Sequence, residues 1–261
     1  MQSKTLSNWD VSGSTHCGGR ASNEDAFSVL MNKRLLVVAD GMGGHSGGAL
    51  ASAAACLSVQ KEADCYDAGE KPDIQAFLRH CTARAHEAIT ALNGDRRGRE
   101  RMGSTLTMVY LDDAEMHMVW VGDSRVYLLR AGELIQLTVD HSLPYQPNVI
   151  TRSLGHNSAQ PDYRKEVLKE GDIVLLCSDG LNNTLSEAVL LEKLSAAASA
   201  AAIDESLMQE ALAGSPKDNV TVLVAKHIVP PAASPYGSLA ALANMISRFL
   251  SCFGSPFKRG V

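Results

Sequence analysis

Five short segments, spread over most of the chain, set acidic side chains beside glycine, serine or asparagine. They are Asn23-Glu24-Asp25, Asp40-Gly41, Gly122-Asp123-Ser124, Ser178-Asp179-Gly180 and Asp218-Asn219. Asp40 and Asp179 each follow an apolar run and precede a glycine, the pattern of a carboxylate at the end of a buried strand followed by a sharp turn. Several such strand ends brought together make an oxygen-rich, negative pocket that hard divalent cations neutralise. Aspartates suit magnesium or manganese, and the histidines and cysteines are not spaced for zinc. Two such ions about 3.5–4 Å apart can share one carboxylate and activate a bridging water for in-line attack on phosphorus. Arg20 supplies the complementary need, a planar guanidinium that holds phosphate oxygens bidentately. The other reading of Arg20 is an ion pair with Glu24 or Asp25. A lone Asp-Gly is usually only a turn; five acidic segments, all at strand edges, favour a site.

Other chemistries fit less well. Gly41-Met42-Gly43-Gly44 is not followed by Lys-Ser/Thr, so it is no P-loop, and it lacks the Gly-x-Gly-x-x-Gly spacing of a dinucleotide fold. No Cys-x5-Arg loop is present for a cysteine nucleophile. The formal charge of −5 argues against nucleic acid as partner. Six of the acids belong to the segments above, which makes the acidity a property of a site. Six cysteines without a Cys-x-x-Cys pair read as reduced thiols, the start has no apolar signal core, and no run is long enough to span a membrane. The expected location is the cytoplasm.

The elements that must position these residues run as strands, two helices, many strands, two helices and a last strand. Runs rich in β-branched and aromatic residues predict strands at Trp9–Gly13, Ala26–Met31, Leu35–Asp40, Ser104–Leu111, Met116–Gly122, Arg125–Arg130, Glu133–Leu137, Tyr163–Leu168, Asp172–Ser178 and Val220–His227. Asp112-Asp113-Ala114 and Ala131-Gly132 read as tight turns. Helical spacing predicts one pair of helices over Gly48–Ala63 and Ile74–Leu92, and a second over Ser186–Ala202 and Asp204–Ala213, with Ser186 as an N-cap. This order suits an antiparallel α+β sandwich with helices outside two sheets, not a doubly wound parallel sheet. Leu137–Asp162, with Pro144, Pro147 and Pro161, reads as a surface loop or small flap. Trp9 and Trp120 read as core, and Arg96–Arg101 as a solvated loop or a dock for acidic substrates.

Composition changes after His227. Pro230-Pro231 to Pro235 reads as a linker, and Leu239, Leu242, Met245, Ile246, Phe249, Leu250 and Phe253 recur at helical spacing. The expected organisation is a domain over residues 1–228 and a linker with an amphipathic helix over 229–261. That helix either packs on the domain, binds a partner or touches a membrane surface.

From Asp10 to His227 the motifs resemble those of the protein phosphatase 2C family, the metal-dependent serine/threonine protein phosphatases, in compact bacterial form. The resemblance rests on Arg20-x-x-Asn23-Glu24-Asp25, Asp40-Gly41-Met42-Gly43-Gly44, Gly103-Ser104-Thr105, Gly122-Asp123-Ser124-Arg125, Asp140-His141-Ser142, Ser178-Asp179-Gly180 and Asp218-Asn219, in that order. It implies a four-layer α-β-β-α sandwich, two or three Mn2+ or Mg2+ ions, and hydrolysis of phosphoserine and phosphothreonine on proteins by a metal-activated water, reversing a bacterial Ser/Thr kinase. It further implies that Asp40 bridges two metals and that the Gly41 carbonyl binds the second. Asp179 and Asp218 would bind the first. Glu24 and Asp25 would hold the second, directly or through its waters. Asp123 with Asp179 would serve a third, weaker metal, and Arg20 would clamp the substrate phosphate. Asn219 would orient its neighbours.

Two departures stand out. Many eukaryotic members carry a proposed acid, His, where this chain has Met42, which donates no proton; His45 and a metal-bound water are the open alternatives. The stretch after Asp140-His141-Ser142 is shorter than is usual, which predicts an open site. A pseudophosphatase acting as a scaffold is the competing class, disfavoured by the intact Asp40, Asp179 and Asp218.

Overall fold

The computed structural model describes residues 4–6, 8–43, 47–66, 73–95, 101–112, 114–156, 159–196 and 198–228. Gly44, His45, Asp113, the arginine-rich residues 96–100 and the tail from 229 onward lie outside the described residues.

Six strands form the first sheet, in the order β1 (Lys4–Leu6), β2 (Trp9–His16), β14 (Val220–His227), β13 (Ile173–Cys177), β8 (Arg125–Arg130) and β9 (Glu133–Gln136). The second runs β12 (Asp162–Val167), β7 (Glu115–Val121), β6 (Leu106–Leu111), β4 (Leu35–Met42) and β3 (Asp25–Leu30), with the short β5 (Gly103–Ser104) on the end of β4. Every pairing in both sheets is antiparallel. Helices α1 (Gly47–Cys65) and α2 (Ile74–Asn93) cover the second sheet, and α3 (Asp179–Asn182), α4 (Glu187–Ala196) and α5 (Ala200–Ala213) cover the first. The result is the α-β-β-α layering that the resemblance implies.

The strand sequences explain the layering. Leu35, Val37 and Ala39 of β4 join the core under α1 and α2, while Leu36 and Val38 point the other way, into the core between the sheets. In the first sheet, Val174 and Leu176 of β13 face the inter-sheet core, and Ile173, Leu175 and Cys177 face α3–α5. Strands buried on both faces read as unbroken apolar runs, as β4 and β13 do. Trp9 and Trp120 are both buried in the inter-sheet core. The β8–β9 hairpin closes through Ala131 (φ 52°) and Gly132 (φ 84°), two successive left-handed residues that match the twist of the strands.

Three expectations need correction. The second helix pair does not break at Ile203. It breaks before Ala200, because Ser199 caps α5 by accepting the Ala202 N–H at 3.3 Å and Asp10 accepts the Ala200 N–H at 2.8 Å. Asp204 is therefore no helix start; it lies inside α5, fully buried, and accepts hydrogen bonds from Ser12 and Ser14 of β2. The 137–162 stretch is also not all loop. It contains a two-stranded ribbon, β10 (Ser142–Leu143) and β11 (Gln146–Ile150), whose shortness and prolines hid it. Finally, Asp40 does not end its strand: β4 continues through Met42 because β5 pairs with Gly41 and Met42.

Candidate metal centre

At one end of the sandwich the chain passes from sheet to sheet through residues 17–24 between β2 and β3 and through residues 122–124 between β7 and β8. Strand register brings the other acidic segments to that same end. Asp25, the first residue of β3, stands directly opposite Asp40 on β4. Val220 pairs with His16, so Asp218 meets the start of the 17–24 loop. Cys177 pairs with both Val222 and Arg125, which sets Asp179 beside the 122–124 turn. The sheet topology thus gathers side chains nearly 200 positions apart.

Each carboxylate has its own support. Asp25 is 8% exposed; its Oδ2 accepts hydrogen bonds from Ser178 and Thr221, each at 2.7 Å, and its Oδ1 has no hydrogen-bond partner. Asp40 is held through its main chain, with its N–H donating to Thr105 Oγ1 at 2.9 Å and its carbonyl accepting the Thr105 N–H at 2.8 Å. Asp179 opens α3 and accepts from Asn183 Nδ2 at 3.1 Å, while its Oδ1 is buried and unpartnered. Asp123 is 7% exposed and its Oδ1 is likewise unpartnered. Asp218 accepts from Arg20 at 2.7 Å and from the Asn219 N–H at 2.9 Å. Glu24 lies against the start of α1, where a Cβ on Gly48 would stand 2.2 Å from its Oε2. Gly41 runs so close to α1 that a Cβ would fall 2.0 Å from the Gly48 carbonyl, and only glycine fits there.

Arg20 pairs with Asp218, and not with Glu24 or Asp25 as the sequence neighbours suggested. Its side chain is 58% exposed, so it stands at the mouth of the site.

Electrostatics tie the group together. Burial raises the pKa of Asp25 to about 6, with Asp179 and Asp218 adding to the shift and the Ser178 and Thr221 hydroxyls opposing it. Burial, then Asp179, lifts Asp123 to about 7. Asp40 is raised well above the usual carboxylate range by burial and by Asp25, Asp179, Asp123 and Asp218; Asp179 is raised by burial and by Asp218. These shifts share one cause: negative charge confined in low dielectric without a counter-charge. A hard dication removes that cost, and three buried carboxylate oxygens without partners are the donors it takes. Neither thiol nor imidazole belongs to the set, which fits Mg2+ or Mn2+ and not zinc. Among the described residues no three His, Cys, Asp or Glu side chains stand as a closed ligand cage. Such a cage is not required of ions that keep several waters and take only one or two carboxylates each.

Sequence reasoning gave no role to the hydroxyls of Ser178, Thr221, Thr105 and Ser52, the last of which donates to the Glu24 carbonyl at 2.6 Å. Ser178 adjoins a site aspartate in sequence and was legible there; Thr221 lies within an ordinary apolar strand and carried no signal.

The protein phosphatase 2C family model matches residues 12–214. The serine/threonine protein phosphatase PstP of Mycobacterium tuberculosis is 37% identical over 224 residues, covering 79% of this chain and 42% of PstP. The chain therefore spans less than half the length of that relative. Protein phosphatase PhpP of Streptococcus pneumoniae is 30% identical over 229 residues, 78% of this chain and 91% of PhpP. Among solved structures, the PstP catalytic domain in complex with two manganese ions superposes with a TM-score of 0.76 at 34% identity, covering 85% of this chain and 99% of that one. PppA of Pseudomonas aeruginosa, described as a key regulatory component of T6SS, superposes with a TM-score of 0.78 at 33% identity, covering 85% of this chain and 99% of PppA.

Proposed function

The chain belongs to the protein phosphatase 2C family, and from that premise we propose that it is a metal-dependent protein-serine/threonine phosphatase. The observation that carries the reading is the set of partnerless buried oxygens on Asp25, Asp123 and Asp179, gathered at one end of the sandwich. Asp40 would bridge two cations, with the Gly41 carbonyl, Glu24 and Asp25 on one and Asp179 and Asp218 on the other. Asp123 and Asp179 would hold a third. When bound, Mn2+ or Mg2+ supplies Lewis acidity that readies water for in-line attack on phosphorus.

The protein's own residues do the rest. Arg20 grips the substrate phosphate at the mouth, its Asp218 partner fixing the guanidinium plane. Asn219 accepts the Glu24 N–H and donates to the Cys17 and Ser22 carbonyls, so one side chain holds the Arg20–Glu24 loop beside Asp218. Met42 offers no proton to the leaving alkoxide.

Substrates on this reading are phosphorylated proteins, and the physiological opponent is a cognate Ser/Thr kinase. The PstP structure with two manganese ions supports the pair of cations at Asp40. On this reading residues 1–228 are the catalytic domain; the linker and helix expected from sequence over 229–261 lie outside the described residues. A cytoplasmic location accords with free cysteines at 17, 56, 65, 81 and 177. No described helix is long and apolar enough to cross a membrane.

The test is hydrolysis of para-nitrophenyl phosphate and of a phosphothreonine peptide, with Mn2+ and with chelator. Turnover that requires metal and falls at least about a thousandfold in Asp40→Asn and Asp179→Asn supports the reading. Metal-independent turnover, or wild-type rates in both variants, refutes it.

A further inference from the structure

We infer that Thr105 is a positioning residue that fixes Asp123 relative to Asp40 and so couples the cation held at Asp123 to those held through Asp40. This rests on the metal roles proposed above. Thr105 is fully buried between the two carboxylates' main chains. Its hydroxyl accepts the Asp40 N–H at 2.9 Å and lies 2.8 Å from Ser124 Oγ, while its own N–H donates to the Asp40 carbonyl at 2.8 Å. Its methyl fills the space beside Gly122: a Cβ there would stand 2.5 Å from Thr105 Cγ2. The Thr105 side chain therefore touches the residue before Asp123 and the residue after it and holds the Asp40 N–H, while the Thr105 main chain holds the Asp40 carbonyl.

The Asp123 side makes this contact consequential. Its Oδ1 has no hydrogen-bond partner, so that oxygen is aimed by the turn and not by a neighbour's donor. Gly122 has φ +110°, a conformation that side-chain-bearing residues rarely adopt. The turn is braced from one side by His141, which accepts the Gly122 N–H at 3.2 Å and donates its own N–H to the Gly122 carbonyl at 3.0 Å. From the other side it is braced by the Thr105 and Thr107 hydroxyls, the latter donating to the Ser124 carbonyl at 3.1 Å. Among the described residues, only Thr105 joins this turn to Asp40 by hydrogen bonds. A shift of the turn moves Asp123 away from the shared pocket without altering Asp40 or Asp179.

Valine at 105 keeps the methyl and removes the hydroxyl; serine does the reverse. Alanine at 124 removes the Thr105–Ser124 bond from its far end and leaves Asp40 bonded. Mn2+ binding to the full chain is measured by calorimetry and by the electron paramagnetic resonance signal of free Mn2+, beside thermal melts in chelator. The expected result is that Ser124→Ala and Thr105→Val weaken, by about tenfold, the Mn2+ binding step that Asp123→Asn abolishes. Thr105→Ser stays within about threefold of wild type at that step. Adding Ser124→Ala to Asp123→Asn leaves the remaining Mn2+ steps as Asp123→Asn alone leaves them. If Thr105→Val fails to fold, Ser124→Ala alone decides. Variants that melt lower yet bind every Mn2+ as wild type does, or a double variant whose remaining Mn2+ steps are weaker than those of Asp123→Asn, overturn the inference. Wild-type protein that takes up no Mn2+ removes the metal roles themselves, and this inference with them.

Discussion

Asn219→Ala offers a quantitative check on how the loop bearing Arg20 and Glu24 is held. The Asn219 side chain is 4% exposed and makes three hydrogen bonds, all to main chain: from Glu24 N–H at 2.8 Å, to the Cys17 carbonyl at 2.8 Å and to the Ser22 carbonyl at 2.9 Å. One N–H and two carbonyls dictate which end of the amide is oxygen, so its orientation is chemically unambiguous. A net hydrogen bond contributes about 1 kcal/mol, and three make about 3 kcal/mol, with the range widened by the unpaired groups left behind. For a domain of this size that is a fall of about 6–12 °C in Tm. The assay is thermal and urea unfolding in chelator, which isolates the hydrogen-bond term. Repeating it in Mn2+ should give a larger loss, because a displaced loop also weakens cation binding to the folded state. Asn219→Asp is the sharper control. It keeps the acceptor for Glu24 but turns two donors into an acceptor facing two carbonyls, so it should be at least as damaging as alanine. A loss under about 1 kcal/mol in Asn219→Ala, or an Asn219→Asp milder than alanine, would refute the reasoning.

Three further outcomes follow from the same geometry. Arg20→Ala should raise KM for a phosphopeptide by about tenfold or more through loss of charged hydrogen bonds, yet leave Tm nearly unchanged, since its exposed ion pair with Asp218 contributes at most about 1 kcal/mol; steady-state kinetics beside a melting curve check both halves. Mn2+ at about a hundredfold its dissociation constant should stabilise the wild type by about 2.7 kcal/mol, and the gain should shrink markedly in Asp179→Asn, read as ΔTm with and without chelator. Asp204 is raised by burial despite hydrogen bonds from Ser14 and Ser12. Its folded state holds the proton more tightly than the unfolded chain, so its contribution to stability grows as pH falls through the raised folded value toward the unfolded value of about 3.9. Urea midpoints in chelator from pH 7.5 to 4.5 should rise in wild type, with the raised carboxylates of Asp25, Asp40, Asp123 and Asp179 contributing in the same direction, and the rise should be smaller in Asp204→Asn.

Much of this architecture was written locally. Among the strand runs readable in the sequence, β4, β13 and β14 stand out because strands buried on both faces need largely continuous apolar sequence. Val220–His227 and Arg125–Arg130 emerge with the predicted bounds. What escaped was whatever depended on partners remote in sequence. The end of β4 is decided by β5, sixty residues on, which pairs with Gly41 and Met42. The break before α5 is decided by Asp10 on β2, which takes the Ala200 N–H, because an alanine-rich run gives no internal reason to stop.

The site divides along the same line. Its acids were legible because an apolar run ending in Asp-Gly is costly without a purpose. Their donors were not, because a hydroxyl inside a strand costs little to carry and has meaning only once topology supplies its carboxylate. Thr221 shows this plainly. In sequence it is one more β-branched residue of β14; in the fold it is fully buried and donates to Asp25 across 196 positions. Thr105 shows it again, joining Asp40 to the turn that carries Asp123. The carboxylates of such a centre repel one another, and each raises its neighbours' affinity for a proton. The neutral hydroxyls and the single Asn219 amide hold that repulsion in one geometry without neutralising it, which leaves the charge for a cation to meet. A centre that replaced these donors with lysine or arginine would be more stable without metal and would bind metal less well. That the described donors on Asp25 and Asp179 are hydroxyl and amide, with the one arginine out at the exposed rim on Asp218, is therefore what selection for a cation rather than for stability would produce.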